Sequence, residues 1–120
     1  MSRRREEAER RGRRGETLAA WYLRLTGWRI LAQRVKTARG EIDLVARRGR
    51  TVCFVEVKWR GSARELGLAI DTHRLRRVAA AVEAVAPRYA ARDEDVRIDV
   101  LLLAPRCWPR RIANAWQPGA

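Results

Sequence analysis

Apolar residues recur at helical spacing in two stretches of the chain. The first covers about 15–26, and Gly27 follows it as a C-terminal stop. The second covers about 72–91, and Asp71 or Thr72 can cap its N-terminus. The apolar positions are Leu18, Trp21, Tyr22 and Leu25 in the first stretch and Leu75, Val78, Ala79, Val82 and Val85 in the second. The pattern therefore predicts two amphipathic helices.

Between and after these helices, the apolar pattern becomes that of β-strands. EIDLVAR (41–47) and TVCFVEVKW (51–59) are the clearest, and the RRGR segment between them predicts a tight turn that uses Gly49. The remaining predicted strands are 28–35, 96–103 and, as a final edge strand, 111–116. This order of elements predicts an α/β fold, a sandwich in which helices flank a mixed central sheet.

Three acids and a lysine collect on one face of the predicted hairpin. Successive strand side chains point to opposite faces, so Glu41 and Asp43 share a face, as do Glu56 and Lys58. If the turn residues are Arg48–Gly49, Glu41 faces Glu56, and Asp43 is the diagonal neighbour of Glu56. The opposite face, which we expect to be core, carries Ile42, Leu44, Cys53, Val55 and Val57.

This charged face has two interpretations. Like charges opposite each other destabilise a sheet, and a divalent cation such as Mg²⁺ or Mn²⁺ reverses that effect. The alternative is a solvated face of the ordinary Glu–Lys kind. The apolar residues Val45, Val52 and Phe54 lie on the same face and favour the metal site. Glu16 adds an acid from the first helix, although a boundary residue paired with Arg13 explains it equally well.

The net charge of the chain is +13, from 27 Lys and Arg against 14 Asp and Glu. Such a field attracts nucleic acid, although an Arg-rich surface without that partner is the alternative. The sequence has no apolar run of about 18 residues and no N-terminal apolar signal segment, so we expect a cytoplasmic protein without a membrane partner. From the length of 120 residues we predict a charged lead over 1–14 and a single domain over 15–120.

Asp43, followed by Glu56-Val57-Lys58, resembles the D…(D/E)xK core of the restriction-endonuclease-like nuclease superfamily. Ile42 stands where a proline often precedes the Asp, which is a common departure. More closely, GE…LAAWYLRLTGWRIL…GEIDLVARRGRTVCFVEVKWR resembles the YraN family of small bacterial proteins, similar in design to archaeal Holliday-junction resolvases. The resemblance implies a restriction-endonuclease-like three-layer sandwich for a nuclease-like domain over 15–120.

The resemblance also implies a catalytic set made of Asp43, Glu56, Lys58 and Glu16. In such nucleases Asp43, Glu56 and the Val57 carbonyl would bind Mg²⁺ (or Mn²⁺). Glu16 would complete the ligand shell or orient the attacking water. Lys58 would position that water or stabilise the charge that develops on the scissile phosphate.

Other residues are expected to support this set. Glu41 would contact a metal ligand rather than the metal itself, or would pair with an arginine. The candidates for phosphate contact are Arg60, Arg64, Arg74, Arg76 and Arg77. Arg74 occupies a position where the family often has a lysine, and because a guanidinium does not release its proton, phosphate contact is its expected role.

Two functions remain open from the sequence. The first is a Mg²⁺-dependent endonuclease that hydrolyses phosphodiester bonds in DNA, branched or damaged structures included. The alternative is a non-catalytic nucleic-acid-binding accessory protein in DNA repair, recombination or uptake. Junction-cutting relatives work as dimers because two symmetric cuts need two sites, so a homodimer is a further expectation.

Overall fold

The computed structural model of the protein describes residues 15–61 and 72–116. In chain order the elements are α1 (15–25), β1 (Arg29–Thr37), β2 (Gly40–Arg48), β3 (Thr51–Trp59), α2 (Thr72–Tyr89), β4 (Asp95–Leu103) and β5 (Arg110–Ile112). Every predicted helix and strand is confirmed, although the last strand is shorter than expected. None of the helices within these ranges is long and apolar enough to cross a bilayer. The predicted lead over 1–14, Arg64 and Asp71 lie outside the described residues.

The five strands form one mixed sheet in the order β1-β2-β3-β4-β5. The first three strands are antiparallel neighbours, and β5 is antiparallel to β4 at the edge. The β3–β4 pair is parallel, which requires a crossover connection, and α2 lies in that connection.

The two helices cover opposite faces of the sheet and make a three-layer sandwich. α1 buries its small residues Ala19 and Ala20, with Leu23, against sheet residues such as Leu44 and Leu101. α2 packs on the other face through the side chains of Leu75, Val78, Ala81, Val82 and Val85. The apolar stripe that predicted α1 is not the buried one, because its outer members Leu18, Trp21 and Leu25 are exposed.

The turn between β2 and β3 falls one residue later than predicted. Arg48 pairs with Thr51, so the two turn residues are Gly49 and Arg50. Gly49 has a φ of 61°, in the left-handed region that glycine enters at little cost. Two-residue turns with glycine first are among those that match the twist of the flanking strands. The later turn moves every cross-strand pair of the hairpin.

A buried carboxylate fastens the β5 edge of the sheet. Asp99 on β4 is 1% exposed, and its oxygens accept hydrogen bonds from Arg97 Nη2 at 2.9 Å and from the Asn114 backbone N–H at 2.8 Å. Arg111 Nη1 on β5 lies 3.6 Å from the same carboxylate. These contacts join β4, β5 and the turn that follows at one charged group.

Candidate metal and nucleic-acid site

The alternation of side chains along β2 is interrupted at Asp43. Ile42 belongs to the core on the α2 face and Leu44 to the core on the α1 face, although they are two residues apart. The ladder between β2 and β3 ends at the Leu44–Val55 pair, and beyond it Asp43 Oδ2 accepts a hydrogen bond from the Val57 N–H at 2.7 Å. The expected placement of Ile42 with Leu44 on one face is therefore wrong, because this interruption reverses the alternation.

The later turn also changes the partner of Glu56. The recorded pairs, from Leu44–Val55 to Arg48–Thr51, are shifted by two residues from the register that would put Glu41 opposite Glu56. The predicted facing pair of Glu41 and Glu56 is therefore wrong. The two carboxylates that the resemblance makes metal ligands are close enough for the charge of Glu56 to raise the pKa of Asp43.

Glu16, Glu41 and Asp43 form an acidic cluster whose carboxylate oxygens all lie within 4.8 Å of one another. Glu16 comes from the start of α1, where Gly15 lies against the side chain of Trp59 at the end of β3. The other two come from the start of β2. The cluster thus joins a helix and a strand at the end of the sheet where β3 finishes.

Glu56 faces the same region from β3 and is 4% exposed. Its Oε1 accepts a hydrogen bond from Arg74 Nε at 2.5 Å. A cavity of about 270 Å³ opens between the hairpin and α2, and it is lined by Gly40, Glu41, Asp43, Glu56, Arg74, Arg77 and Val78. The structure therefore brings the two predicted metal-binding carboxylates to one cavity, with an arginine already bound to one of them.

The environment of Asp43 raises its pKa from the ordinary 3.8 to about 7. Burial is the largest cause, and the negative charge of Glu56 is the next. The Val57 N–H opposes the rise by favouring the charged form, and Glu16 adds to it. The carboxyl group is therefore protonated in much of the metal-free protein near neutral pH, and a cation at its oxygens would restore the charged form.

Lys58 shares a face with Glu56, as predicted. β3 pairs with β4 without interruption from Thr51 to Trp59, so its side chains alternate regularly. Of the predicted phosphate contacts, Arg74 and Arg77 line the cavity, and Arg76 is exposed on α2. Arg60 follows β3 directly, where its backbone N–H donates to the Leu103 carbonyl at 2.6 Å.

Arg34 was not expected from the sequence. It lies on β1 with a φ of 53°, between the Gln33–Leu44 and Val35–Ile42 pairs, and its Nε donates a hydrogen bond to Glu16 Oε2. That hydrogen bond and the charges of Glu16, Glu41 and Asp43 raise the pKa of Arg34 above its ordinary value. Its sequence context is the weakly alternating 28–35 segment, which carries no signal for a left-handed residue inside a strand.

The donor set of this site fits a hard divalent cation. Three carboxylates at these separations repel one another unless they are protonated, paired with arginine or bound to a cation. Mg²⁺ and Mn²⁺ prefer carboxylate oxygens and retain positions for water and phosphate. Glu41, expected only as a supporting residue, lies in the cluster on equal terms with Glu16 and Asp43.

The fold is similar to that of a solved structure. Hjc of Archaeoglobus fulgidus, described as a Holliday junction resolvase from an archaeal hyperthermophile, aligns with a TM-score of 0.60 over 86% of this chain and 72% of that one, at 23% identity. This likeness confirms the predicted restriction-endonuclease-like α/β sandwich.

Sequence relatives cover nearly the whole chain. A UPF0102 protein of Sphingopyxis alaskensis is 63% identical over 114 residues, which span 95% of this chain and 98% of that protein. A UPF0102 protein of Erythrobacter litoralis is 67% identical over 114 residues, with the same coverage of 95% and 98%. The model of the uncharacterised protein family UPF0102 matches residues 15–103. The chain therefore belongs to the UPF0102 family, which is the YraN family that its motifs resemble.

Proposed function

We propose that this protein is a Mg²⁺-dependent endonuclease that hydrolyses phosphodiester bonds in DNA, with branched or damaged DNA as its substrates. The observation that carries the proposal is the convergence of Asp43 and Glu56 on one cavity beside the Glu16–Glu41–Asp43 cluster. The net charge of +13 supports a nucleic-acid substrate, and the likeness to a Holliday junction resolvase supports DNA.

The carboxylates would hold the cation, with Asp43 and Glu56 as the main ligands, the Val57 carbonyl as a further ligand, and Glu16 and Glu41 beside them. When bound, Mg²⁺ neutralises charge on the scissile phosphate and makes a water molecule a better nucleophile near neutral pH. Because Asp43 has a pKa of about 7, it binds the cation more tightly as the pH rises through neutrality.

The basic residues would bind and orient the phosphate. Lys58 shares a face with Glu56, and its ammonium would stabilise the negative charge that develops on the phosphate oxygens. Arg77 lines the cavity, and Arg76 is exposed on the same helix, so both can contact flanking phosphates. Arg74 would exchange its hydrogen bond with Glu56 for a phosphate contact when the cation binds that carboxylate.

Cleavage of a panel of flap, junction, single-stranded and duplex DNA tests this proposal, in Mg²⁺ and in EDTA. We expect Mg²⁺-dependent cleavage that Asp43→Asn and Lys58→Ala abolish. Calorimetry should show that Asp43→Asn loses Mg²⁺ binding, whereas Lys58→Ala retains it because the lysine is not a ligand.

Asp93→Asn is the matched control, because it makes the same chemical change at an exposed carboxylate paired with Arg50 beside the β2–β3 turn. Cleavage that persists in EDTA, or that survives both site variants, would show that the activity belongs to a contaminant and would refute the assignment.

The alternative function is a nucleic-acid-binding protein without turnover. The ion pair between Arg74 and Glu56 favours it, because that pair occupies a carboxylate that the metal site needs. This function predicts salt-dependent DNA binding that is the same with and without Mg²⁺, and no cleavage of any substrate in the panel.

A further inference from the structure

A second groove, which we name the tryptophan groove, lies on the outer side of α1. It has a volume of about 260 Å³, and its main lining residues are Leu18, Trp21, Tyr22, Leu25, Trp59 and Trp108. Helix α1, the end of β3 and the connection between β4 and β5 all contribute to it. Trp21 is 59% exposed and Trp108 is 79% exposed. Large apolar side chains that are exposed together mark a surface that binds another molecule.

The fold does not need these rings to be where they are. α1 already buries Ala19, Ala20 and Leu23 against the sheet, so its outer stripe makes a second, separate apolar face. Trp108 lies in the β4–β5 connection, between the half-buried residues Cys107 and Pro109. Within residues 15–61 and 72–116, the exposed rings of Trp21 and Trp108 are therefore not needed to pack the fold.

The charge around the groove indicates a polyanionic occupant. Among the described residues, no acidic side chain lines it. Exposed Arg24 on α1 and Arg106 in the β4–β5 connection flank the lining residues in sequence, and the whole chain carries +13. A second copy of this chain would bring the same arginines face to face. Exposed aromatic rings in a chain of this charge, with exposed arginines near them in sequence, suit a nucleic acid, whose bases stack on rings while its phosphates contact guanidinium groups.

The groove and the acidic cavity lie on opposite sides of the end of β3. Trp59 lines the groove on the α1 side, and Glu56, three residues earlier, lines the cavity on the α2 side. At the rise of a β-strand the two residues are about 10 Å apart along the chain. A duplex is too stiff to turn around this edge, since its persistence length is about 150 bp, and its bases are already stacked on one another. Only an unpaired strand can reach both places.

We propose that the tryptophan groove binds unpaired nucleotides of the DNA strand that continues from the cleavage site, with bases stacked on Trp108 and Trp21. The proposal rests on the proposed nuclease function, because that function places the cleavage site from which the strand would continue into the groove. It narrows the substrate class to DNA with a single-stranded segment beside the cut, such as a flap, an overhang or a gap.

Fluorescence anisotropy with a short labelled oligothymidylate in EDTA measures the groove without cleavage. We expect Trp108→Leu and Trp21→Leu each to weaken binding by about fivefold to a hundredfold, because leucine keeps the apolar character but lacks a flat face for stacking. Val96→Ala, at an exposed apolar residue of β4 outside the groove, should bind as the wild type does. Both tryptophans are exposed, so these variants are expected to fold.

A matching strand of abasic sugar-phosphate separates stacking from charge. The wild type should bind it as weakly as Trp108→Leu binds oligothymidylate. Equal affinity of the wild type for both strands, or unchanged affinity in both tryptophan variants, overturns the proposal. A dimer that Trp108→Leu converts to a monomer in sedimentation, with its oligonucleotide affinity unchanged, would also overturn it and assign the groove to contact between copies.

This test fails separately from that of the proposed function. Binding of oligothymidylate in EDTA does not use the cation that the proposed cleavage needs. Tryptophan-dependent binding without Mg²⁺-dependent cleavage would support the groove and refute the nuclease. Mg²⁺-dependent cleavage together with normal oligothymidylate binding by both tryptophan variants would support the nuclease and refute the groove.

Discussion

Asp43→Asn is expected to stabilise the metal-free protein at pH 8. Burial and the charge of Glu56 raise the pKa of Asp43 from 3.8 to about 7, so the ionised carboxylate costs folding free energy. At about 1.36 kcal/mol for each pH unit, this rise corresponds to about 4 kcal/mol. The asparagine oxygen can still accept the hydrogen bond from the Val57 N–H. We expect a gain of about 2–4 kcal/mol in the free energy of unfolding, because local relaxation recovers part of the cost.

The pH dependence of this gain has a definite sign. The folded pKa of Asp43 lies above the unfolded value, so the wild type loses stability as the pH rises from about 4 to about 7. Below about pH 4 the carboxyl group is protonated in both the folded and the unfolded state. The wild type then keeps the stability that it loses at higher pH when Asp43 ionises. The advantage of Asp43→Asn should therefore be largest above pH 7 and should fall by more than half at pH 5.

Urea unfolding followed by tryptophan fluorescence, in EDTA at pH 8 and pH 5, measures this difference. Asp93→Asn should show no such gain, because that carboxylate is exposed and paired with Arg50. Mg²⁺ should then stabilise the wild type and leave Asp43→Asn unchanged. A variant that is no more stable than the wild type at pH 8, or a gain of equal size at both pH values, would refute the argument that Asp43 is held in a strained, charge-repelling position.

Three further predictions follow from the structure. Asp99→Asn should lower the free energy of unfolding by about 3 kcal/mol in urea titrations, because it leaves the arginines around a buried carboxylate without their counter-charge; a loss below about 1 kcal/mol would contradict this. Arg74→Ala should tighten Mg²⁺ binding several-fold in calorimetry, because it releases Glu56, whereas Arg76→Ala on the exposed side of the same helix should change it little; equal effects would indicate general charge alone. Gly49→Ala should lower the free energy of unfolding by about 1 kcal/mol in thermal unfolding, because its φ of 61° is unfavourable for alanine although the space around it is open. An unchanged unfolding midpoint would show that the turn relaxes.

The architecture could be predicted from the sequence because each element carries its own local pattern. The apolar residues of β4 and the helical periodicity of α2 define these elements within one or two residues. The apolar stripe of α1 predicted a helix but not which face of that helix is buried, since the residues that pack on the sheet are mainly small alanines. Alanine carries a weak apolar signal, whereas the exposed tryptophans carry a strong one.

For the candidate site, the sequence indicated which residues lie near one another better than it indicated how they are arranged. The spacing of Glu56 and Lys58 on a regular strand fixes their common face, and the structure retains it. The predicted relation of Asp43 to Glu56 depends on a turn in which glycine can occupy either central position, and in the structure Gly49 occupies the first. The interruption of β2 at Asp43 and the left-handed Arg34 depend on contacts between strands and helix, which no short sequence window contains.

The hydrogen bond from the Val57 amide to Asp43 gives the site a natural reporter. A single backbone proton is bonded to a carboxylate whose pKa of about 7 places its titration near neutral pH, so the NMR resonance of that proton should move with the titration. Spectroscopists could follow proton loss, cation loading and substrate arrival at this one signal, without attaching any label to the protein.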